Sequence, residues 1–255
     1  AHQPDIVVTY EVEGLAGLPL PVVTQFNEAD DHEKVERFVV GNGVTLVFFH
    51  HENDLPHYAH WAGIARVHLP HAVNTKVYKD YGLPKDIDIL VAGNMNSYFY
   101  PFRHRLRGLA ETVFTKRGLV VEILKHPGYT LPPREGTYVR EDFARLLNRS
   151  KLVFTCSMRF NYALAKYSEI AACRSLAVAD LPAERKDFFR TTILEVDPSM
   201  TDAQIVDTVM AVLYDPPTLA RKTQAAYGTT LDLCSMETYA NGFYYTAKAF
   251  LEGTL

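Results

Sequence analysis

Ser150–Asp180 reads SKLVFTCSMRFNYALAKYSEIAACRSLAVAD, and the architecture follows from it. Leu152–Cys156 is a short apolar, partly β-branched run, and Ser175–Ala179 is a second. Leu164–Cys173 between them carries apolar residues at helical spacing. Strand, helix and strand in that order make a βαβ unit, whose strands pair in parallel. Both strands are almost continuously apolar where a half-solvated strand would alternate, so a sheet covered on both faces is predicted.

The same rhythm extends outward. Strands are predicted at Ile87–Ala92, Val120–Leu124 and Thr192–Val196, and helices at Pro101–Lys116, Glu141–Leu147, Asp202–Leu213 and from Leu219 onward. Towards the N-terminus, Asp5–Tyr10, Pro21–Phe26, Val44–His50 and Ala65–Leu69 read as strands, with one amphipathic helix within Glu28–Val40. The fold class is therefore α/β, a doubly wound parallel sheet of Rossmann type preceded by a shortened α/β lobe. Residues 1–75 are expected to form that partial or abbreviated lobe, and residues 76–235 the doubly wound domain. Residues 236–255 are expected to form a last helix packing back toward the N-terminal part. Tyr239, Phe243, Tyr244, Tyr245 and Phe250 give that helix too much aromatic surface to leave in water.

Composition narrows the function classes. The chain has 255 residues, 47% hydrophobic and 22% charged, ordinary for a globular protein with a sizeable core. A formal charge of −4 offers no basic field for nucleic acid. No apolar run reaches the ~20 residues of a transmembrane helix, and the start lacks the layout of a signal peptide. Cys156, Cys173 and Cys234 are odd in number and widely spaced, which reads as buried thiols in a reducing, cytoplasmic setting.

Open parallel sheets bind ligands at the carboxyl ends of their strands. After the strand at Ile87–Ala92 comes Gly93-Asn94-Met95-Asn96-Ser97-Tyr98, where a glycine lets backbone amides approach an anion. Arg103, Arg105 and Arg107 follow on the next helix, and alternate positions on a helix cannot share one face, so only one of them is expected at the cleft. The loop Lys125-His126-Pro127-Gly128-Tyr129 offers an aromatic on which a base could stack, or a turn that packs on itself. Lys166 and Glu169 lie at i, i+3 on one helix face. They suit a phosphate and a pair of ribose hydroxyls respectively, although the bare spacing fits an intrahelical ion pair equally well.

The order of these motifs resembles a family. AKYSEIAACRSLAVAD is similar to the K-x-x-E-x-x-A-x-G helix–strand signature of GT-B glycosyltransferases, in particular group-1-like and CgeB-type members. Val67–Asn74 with Val77-Tyr78 resembles their linker between lobes. IDILVAGN with Arg103 resembles the opening strand and phosphate loop of the donor domain, and ILEVDPSMTDAQIVDTVMAVLYDP the tail. The resemblance implies an α/β GT-B fold and a glycosyltransferase of hexosyl or deoxyhexosyl type. Its donor would be a UDP- or GDP-linked sugar, its acceptor a hydroxyl on a glycan or another molecule, and no further cofactor would be needed. Glu169 would bind ribose, Lys166 and Arg103 the diphosphate, and Gly93 and Asn94 would approach it by backbone. Three departures stand out: Asn161 where many relatives carry a carboxylate, Arg174 where they carry glycine, and Asn74 in place of the linker aspartate.

Transfer also needs charge stabilisation on the leaving diphosphate and a base for the acceptor hydroxyl. No D-x-D pair follows a strand, so basic side chains are expected to serve without a metal. Glu28 or Asp30 in the loop Asn27–Asp31 is the expected base, with His51 in reserve. The same loop could instead cap the helix that follows it. Zinc on His50, His51 and His57 is a further option, which spacing alone does not fix. Other readings remain open: a non-catalytic nucleotide-sugar-binding domain of a longer multi-domain protein, and a sugar-nucleotide epimerase of the same architecture.

Overall fold

The structure is a computed structural model that describes residues 4–10, 12–128, 132–133 and 135–255. The chain divides into two compact units, Ala1–His71 with Glu237–Leu255, and Ala72–Met236.

In the first unit, β1 (Val7–Thr9), β2 (Val22–Phe26), β3 (Val44–Phe49) and β4 (Ala65–His68) form a parallel sheet in the order β1-β2-β3-β4. The register shifts between Val22 and Val23, so Thr45 is an extra residue, and its hydroxyl donates to the Val22 carbonyl at 3.2 Å. Beyond that bulge the β3 side chains divide between the faces. Val47 and Phe49 pack with Val35 and Val39 of α1 (His32–Gly41) and with Tyr58 and Trp61. Leu46 and Phe48 pack on the other face, where α8 (Met236–Leu251) lays Phe243 on Phe48 with ring centroids 4.7 Å apart. The α8 aromatic Tyr239 also reaches this sheet, donating to Gln25 at 2.6 Å. A short 3-10 helix at Glu52–Tyr58 has no counterpart in the sequence reading, because seven residues interrupted by Pro56 give no period to detect.

The second unit contains β5 (Ile87–Val91), α2 (Pro101–Leu109), β6 (Val121–Ile123), α3 (Arg140–Arg149), β7 (Ser150–Phe154), α4 (Ala165–Ala172), β8 (Leu176–Ala179), α5 (Lys186–Thr192), β9 (Ile193–Glu195), α6 (Asp202–Leu213) and α7 (Pro216–Cys234). All five strands are parallel, in the order β6-β5-β7-β8-β9. Ile89, Val91, Leu152, Phe154 and Val178 face α2 and α6. Leu90, Val153 and Ala177 face α3, α4 and Phe189 of α5. Helices therefore cover both faces, which explains the unbroken apolar runs Ile89–Val91, Leu152–Phe154 and Leu176–Ala179.

Boundaries differ from the sequence reading where local signals are weak. The helix expected to run to Lys116 leaves α geometry after Leu109, widens to a π-turn over Ala110–Phe114, and closes at Gly118 in the left-handed region. That widening seats Phe114 against Phe154, with centroids 5.7 Å apart. The helix expected from Leu219 onward starts three residues earlier, at Pro216, and the last helix starts at Met236. Asp215 caps α7 by accepting from the Thr218 amide at 3.1 Å, and Ser235, in extended geometry, separates α7 from α8. α5 was missed because KDFFRTT is short and β-branched at its end.

Candidate functional site

Strand order reverses at β5: β6 lies on one side of it and β7 on the other. The loops leaving the carboxyl ends of β5 and β7 diverge to opposite faces there, which opens a crevice at a topological switch point.

On the β5 side, Gly93 has φ +113°, a conformation that L-residues rarely adopt. A Cβ built on it would lie 2.6 Å from Nη1 and 3.1 Å from Cζ of Arg103, and 3.5 Å from Cε of Lys166. Arg103 is only 2% exposed. It donates from Nη1 to the Asn94 carbonyl at 3.1 Å and from Nη2 to Oγ1 of Thr155 at 3.2 Å and the Cys156 carbonyl at 3.5 Å. Its guanidinium also lies 4.3 Å from the Tyr100 ring centroid, and its Nε has no partner among the described residues. This one side chain ties the β5 loop to the β7 loop and sets a buried cation beneath both. Arg105 and Arg107 are engaged elsewhere. Arg105 holds Asp202 at 2.8 Å and the Pro198 and Met200 carbonyls, and Arg107 holds Glu111 at 2.8 Å.

On the β7 side, Lys166 and Glu169 rise from α4. Nζ of Lys166 lies 3.7 Å from Oε2 of Glu169 and 4.6 Å from the Phe143 ring centroid. Desolvation lowers the Lys166 pKa, against the pull of Glu169. Glu169 accepts a hydrogen bond from the Tyr78 hydroxyl, whose own pKa is raised by burial first and by Glu169 second. An ionised carboxylate has about four acceptor sites. Tyr78 takes one, leaving room for a vicinal diol. In the sequence Tyr78 stands only at the end of the linker motif, and nothing there pairs it with a residue so far along the chain.

Other residues brace this crevice that sequence reasoning missed. Asp180, at the end of β8, accepts from the Ser157 amide at 2.8 Å, from the Ser157 hydroxyl, and from Tyr167 at 3.4 Å. Burial raises its pKa, and those hydrogen bonds oppose the rise. Glu184 accepts from the Ala163 amide at 2.6 Å. Between these two anchors, Met158 and Asn161 hold φ of 66° and 57°. A non-glycine residue there costs on the order of 1–3 kcal/mol, sustained only when surrounding contacts fix it. Asn161 is thus a turn residue, its carbonyl accepting from Ala183 at 3.3 Å. At the β6 loop, His126 accepts from the Gly128 amide at 3.1 Å; Tyr129 lies outside the described residues.

The expected base residues belong to the first unit. A cavity of about 540 Å³ at the end of β2 is lined by Thr24, Gln25, Asn27, Glu28, Asp30 and Asp31, among others. Burial raises the Glu28 pKa; His51 opposes that rise, while Asp30 and Asp54 add to it. Asp31 is a helix cap, accepting from the Lys34 amide at 3.2 Å. His51 is fully buried, its ring 5.2 Å from that of His71. His50 and His71 meet through their Nδ1 atoms at 2.8 Å, and His57 packs on His32 at 4.4 Å. Among the described residues no three His, Cys, Asp or Glu side chains converge as metal ligands, and no helix is long and apolar enough to cross a membrane. The three cysteines are free and buried.

No family model and no curated protein matches the chain. Solved structures do. An alpha-glucosyltransferase in complex with UDP-glucose and DNA containing an abasic site matches with a TM-score of 0.63 at 10% identity, over 91% of this chain and 74% of that one. Sucrose-phosphate synthase from Thermosynechococcus elongatus matches at 0.62 and 11% identity, over 93% and 69%. A glycosyltransferase from Rickettsia africae matches at 0.60 and 15% identity, over 97% and 77%. Two parallel α/β units, the second doubly wound, recur in this company of GT-B structures. The chain has the GT-B fold.

Proposed function

We propose that this protein is a glycosyltransferase that moves a sugar from a nucleoside-diphosphate sugar, of UDP or GDP type, to a hydroxyl of a glycan or another acceptor. The observation that carries this reading is the convergence of Gly93, Arg103, Lys166 and Glu169 at the switch point of the second sheet. Cleavage of the donor leaves negative charge on the diphosphate, and the transition state gains most from cations already in place. Lys166 supplies an ammonium at the crevice, and Arg103 supplies a fixed positive field from beneath the loop. Gly93, which has no Cβ, and Asn94 would donate backbone N–H groups to the diphosphate. Glu169 retains acceptor capacity for the ribose hydroxyls, and Tyr129 is assigned to the base. These basic groups take the place of a metal clamp. Glu28, its pKa raised by burial, is the preferred base for the acceptor hydroxyl, with Asp30 and His51 as alternatives. The free, buried cysteines fit a reducing, cytoplasmic compartment.

Support for a UDP donor comes from the solved relatives: the alpha-glucosyltransferase and HepE of Anabaena are both in complex with UDP-glucose. Calorimetric titration with UDP and GDP tests the reading directly. Binding of one of them, weakened in Lys166→Ala, supports it; absence of binding by both removes it. Binding without transfer to any hydroxyl acceptor would favour a non-catalytic nucleotide-sugar module.

A further inference from the structure

At the rim of the same crevice sits a second cation whose partners are aromatic. Arg159, exposed on the loop after β7, places its guanidinium 4.1 Å from the ring centroid of Tyr98 and 5.0 Å from that of Phe160. Tyr98 belongs to the β5 loop and is 65% exposed. The two loops are fastened at this point, because the Arg159 amide donates to the Phe99 carbonyl at 2.9 Å.

Both sides are built to hold this geometry. In the β5 loop, Asn94 accepts from the Asn96 amide at 2.9 Å and Asn96 from the Tyr98 amide at 2.8 Å, two successive Asx turns that lead to Tyr98. In the β7 loop, Arg159 sits between the left-handed residues Met158 and Asn161, with Asp180 holding Ser157 just before them. Backbone strain of this kind persists where the surroundings over-determine it, and it concentrates at ligand sites. Among the described residues Arg159 has no carboxylate partner. A guanidinium held against two aromatic rings has lost much of its rotamer freedom already, yet its N–H fork remains available. Carboxylates match that fork with two parallel hydrogen bonds.

We infer that Arg159, with Tyr98, recognises a carboxylate on the sugar of the nucleotide donor, so that the preferred donor carries an acidic, uronate-type sugar. This rests on the nucleotide-sugar reading above. Lys166 and Arg103 serve the diphosphate; Arg159 serves the charge beyond it, and Tyr98 offers an apolar face to the ring.

Calorimetry with UDP, UDP-glucose and UDP-glucuronate decides the matter, with GDP, GDP-mannose and GDP-mannuronate as the parallel series. The wild type is expected to bind the uronate form about tenfold or more tightly than the neutral sugar, the scale of a charge-assisted pair. Arg159→Ala should abolish that ratio while leaving the affinity for the bare nucleoside diphosphate unchanged. Arg159→Lys should restore it only in part, because the planar fork is missing. Wild-type binding of the diphosphate with no preference for the uronate overturns this inference and leaves the nucleotide reading standing. If Arg159→Ala weakens the bare diphosphate as much as the uronate, the anion it receives is the phosphate, and the sugar assignment falls. If neither diphosphate binds, both readings fall together.

Discussion

Gly93 and Arg103 occupy one space: a single Cβ on the glycine would lie 2.6 Å from the guanidinium. Since φ at Gly93 is +113°, Gly93→Ala adds backbone strain to that collision. The variant is expected to lose roughly 1–3 kcal/mol of stability by urea unfolding, from the strain alone. It should also lose most of its nucleoside-diphosphate affinity, since Arg103 must leave the Asn94 carbonyl. Gly93→Ala binding at the parent affinity would show that this loop does not approach the ligand.

Glu169→Ala tests the ribose assignment. Removing hydrogen bonds to a charged acceptor should weaken nucleoside-diphosphate binding by about 1.5–3 kcal/mol in calorimetry of the folded variant. The Tyr78 hydroxyl loses its acceptor at the same time and should titrate closer to the ordinary tyrosine range by ultraviolet absorbance. A tyrosine shift without any change in affinity would reduce Glu169 to a structural partner of Tyr78.

For the acceptor side, Glu28→Gln is expected to cut turnover by about 10²–10⁴ while leaving donor binding intact. Asp30→Asn and His51→Ala should have smaller effects, acting through the Glu28 pKa. Should all three transfer sugar at the parent rate, the base lies elsewhere or the mechanism is retaining.

Metal independence is tested by chelation. On the proposed reading, with cationic side chains taking the leaving-group charge, transfer measured after dialysis against EDTA should match the untreated rate. Loss of activity that is regained on adding a divalent ion would overturn this.

The His50–His71 pair makes the first unit sensitive to acid. Burial holds His50 at about 4 and His71 at about 2, both below the unfolded value of 6.5. Between pH 6.5 and 4 the unfolded chain therefore binds more protons than the folded one, and stability rises with pH across that window. The slope is about 1.4 kcal/mol per pH unit for each histidine that stays neutral in the fold while charged in the unfolded chain. Denaturant unfolding at pH 7 and pH 4.5 should show His71→Asn losing less stability than the parent. Equal losses would mean that the pair is not the acid-sensitive element.

Part of this protein is written locally. The apolar runs LVFTC and LAVAD, the helix between them and the Gly93 loop are short-range patterns, and periodicity alone places them. Lys166 and Glu169 share a helix face for the same reason, and the T-x-x-Q cap that starts α6 is a local signal too. Tertiary structure decided everything that depends on which strand lies beside which. The order β6-β5-β7 locates the crevice, and no residue of β5 announces that its neighbours come from both directions in the chain. Arg103, Arg105 and Arg107 are chemically alike, and only packing buries the first under Gly93 and Thr155 while sending the others to Asp202 and Glu111. Tyr78 meets Glu169, and Asp180 meets Ser157, across loops whose closure depends on the whole sheet. Helix and strand periods are set by bonds a few residues apart, but a site is set by contacts between segments far apart in the chain. Those contacts form only when burial of both sheet faces fixes the register.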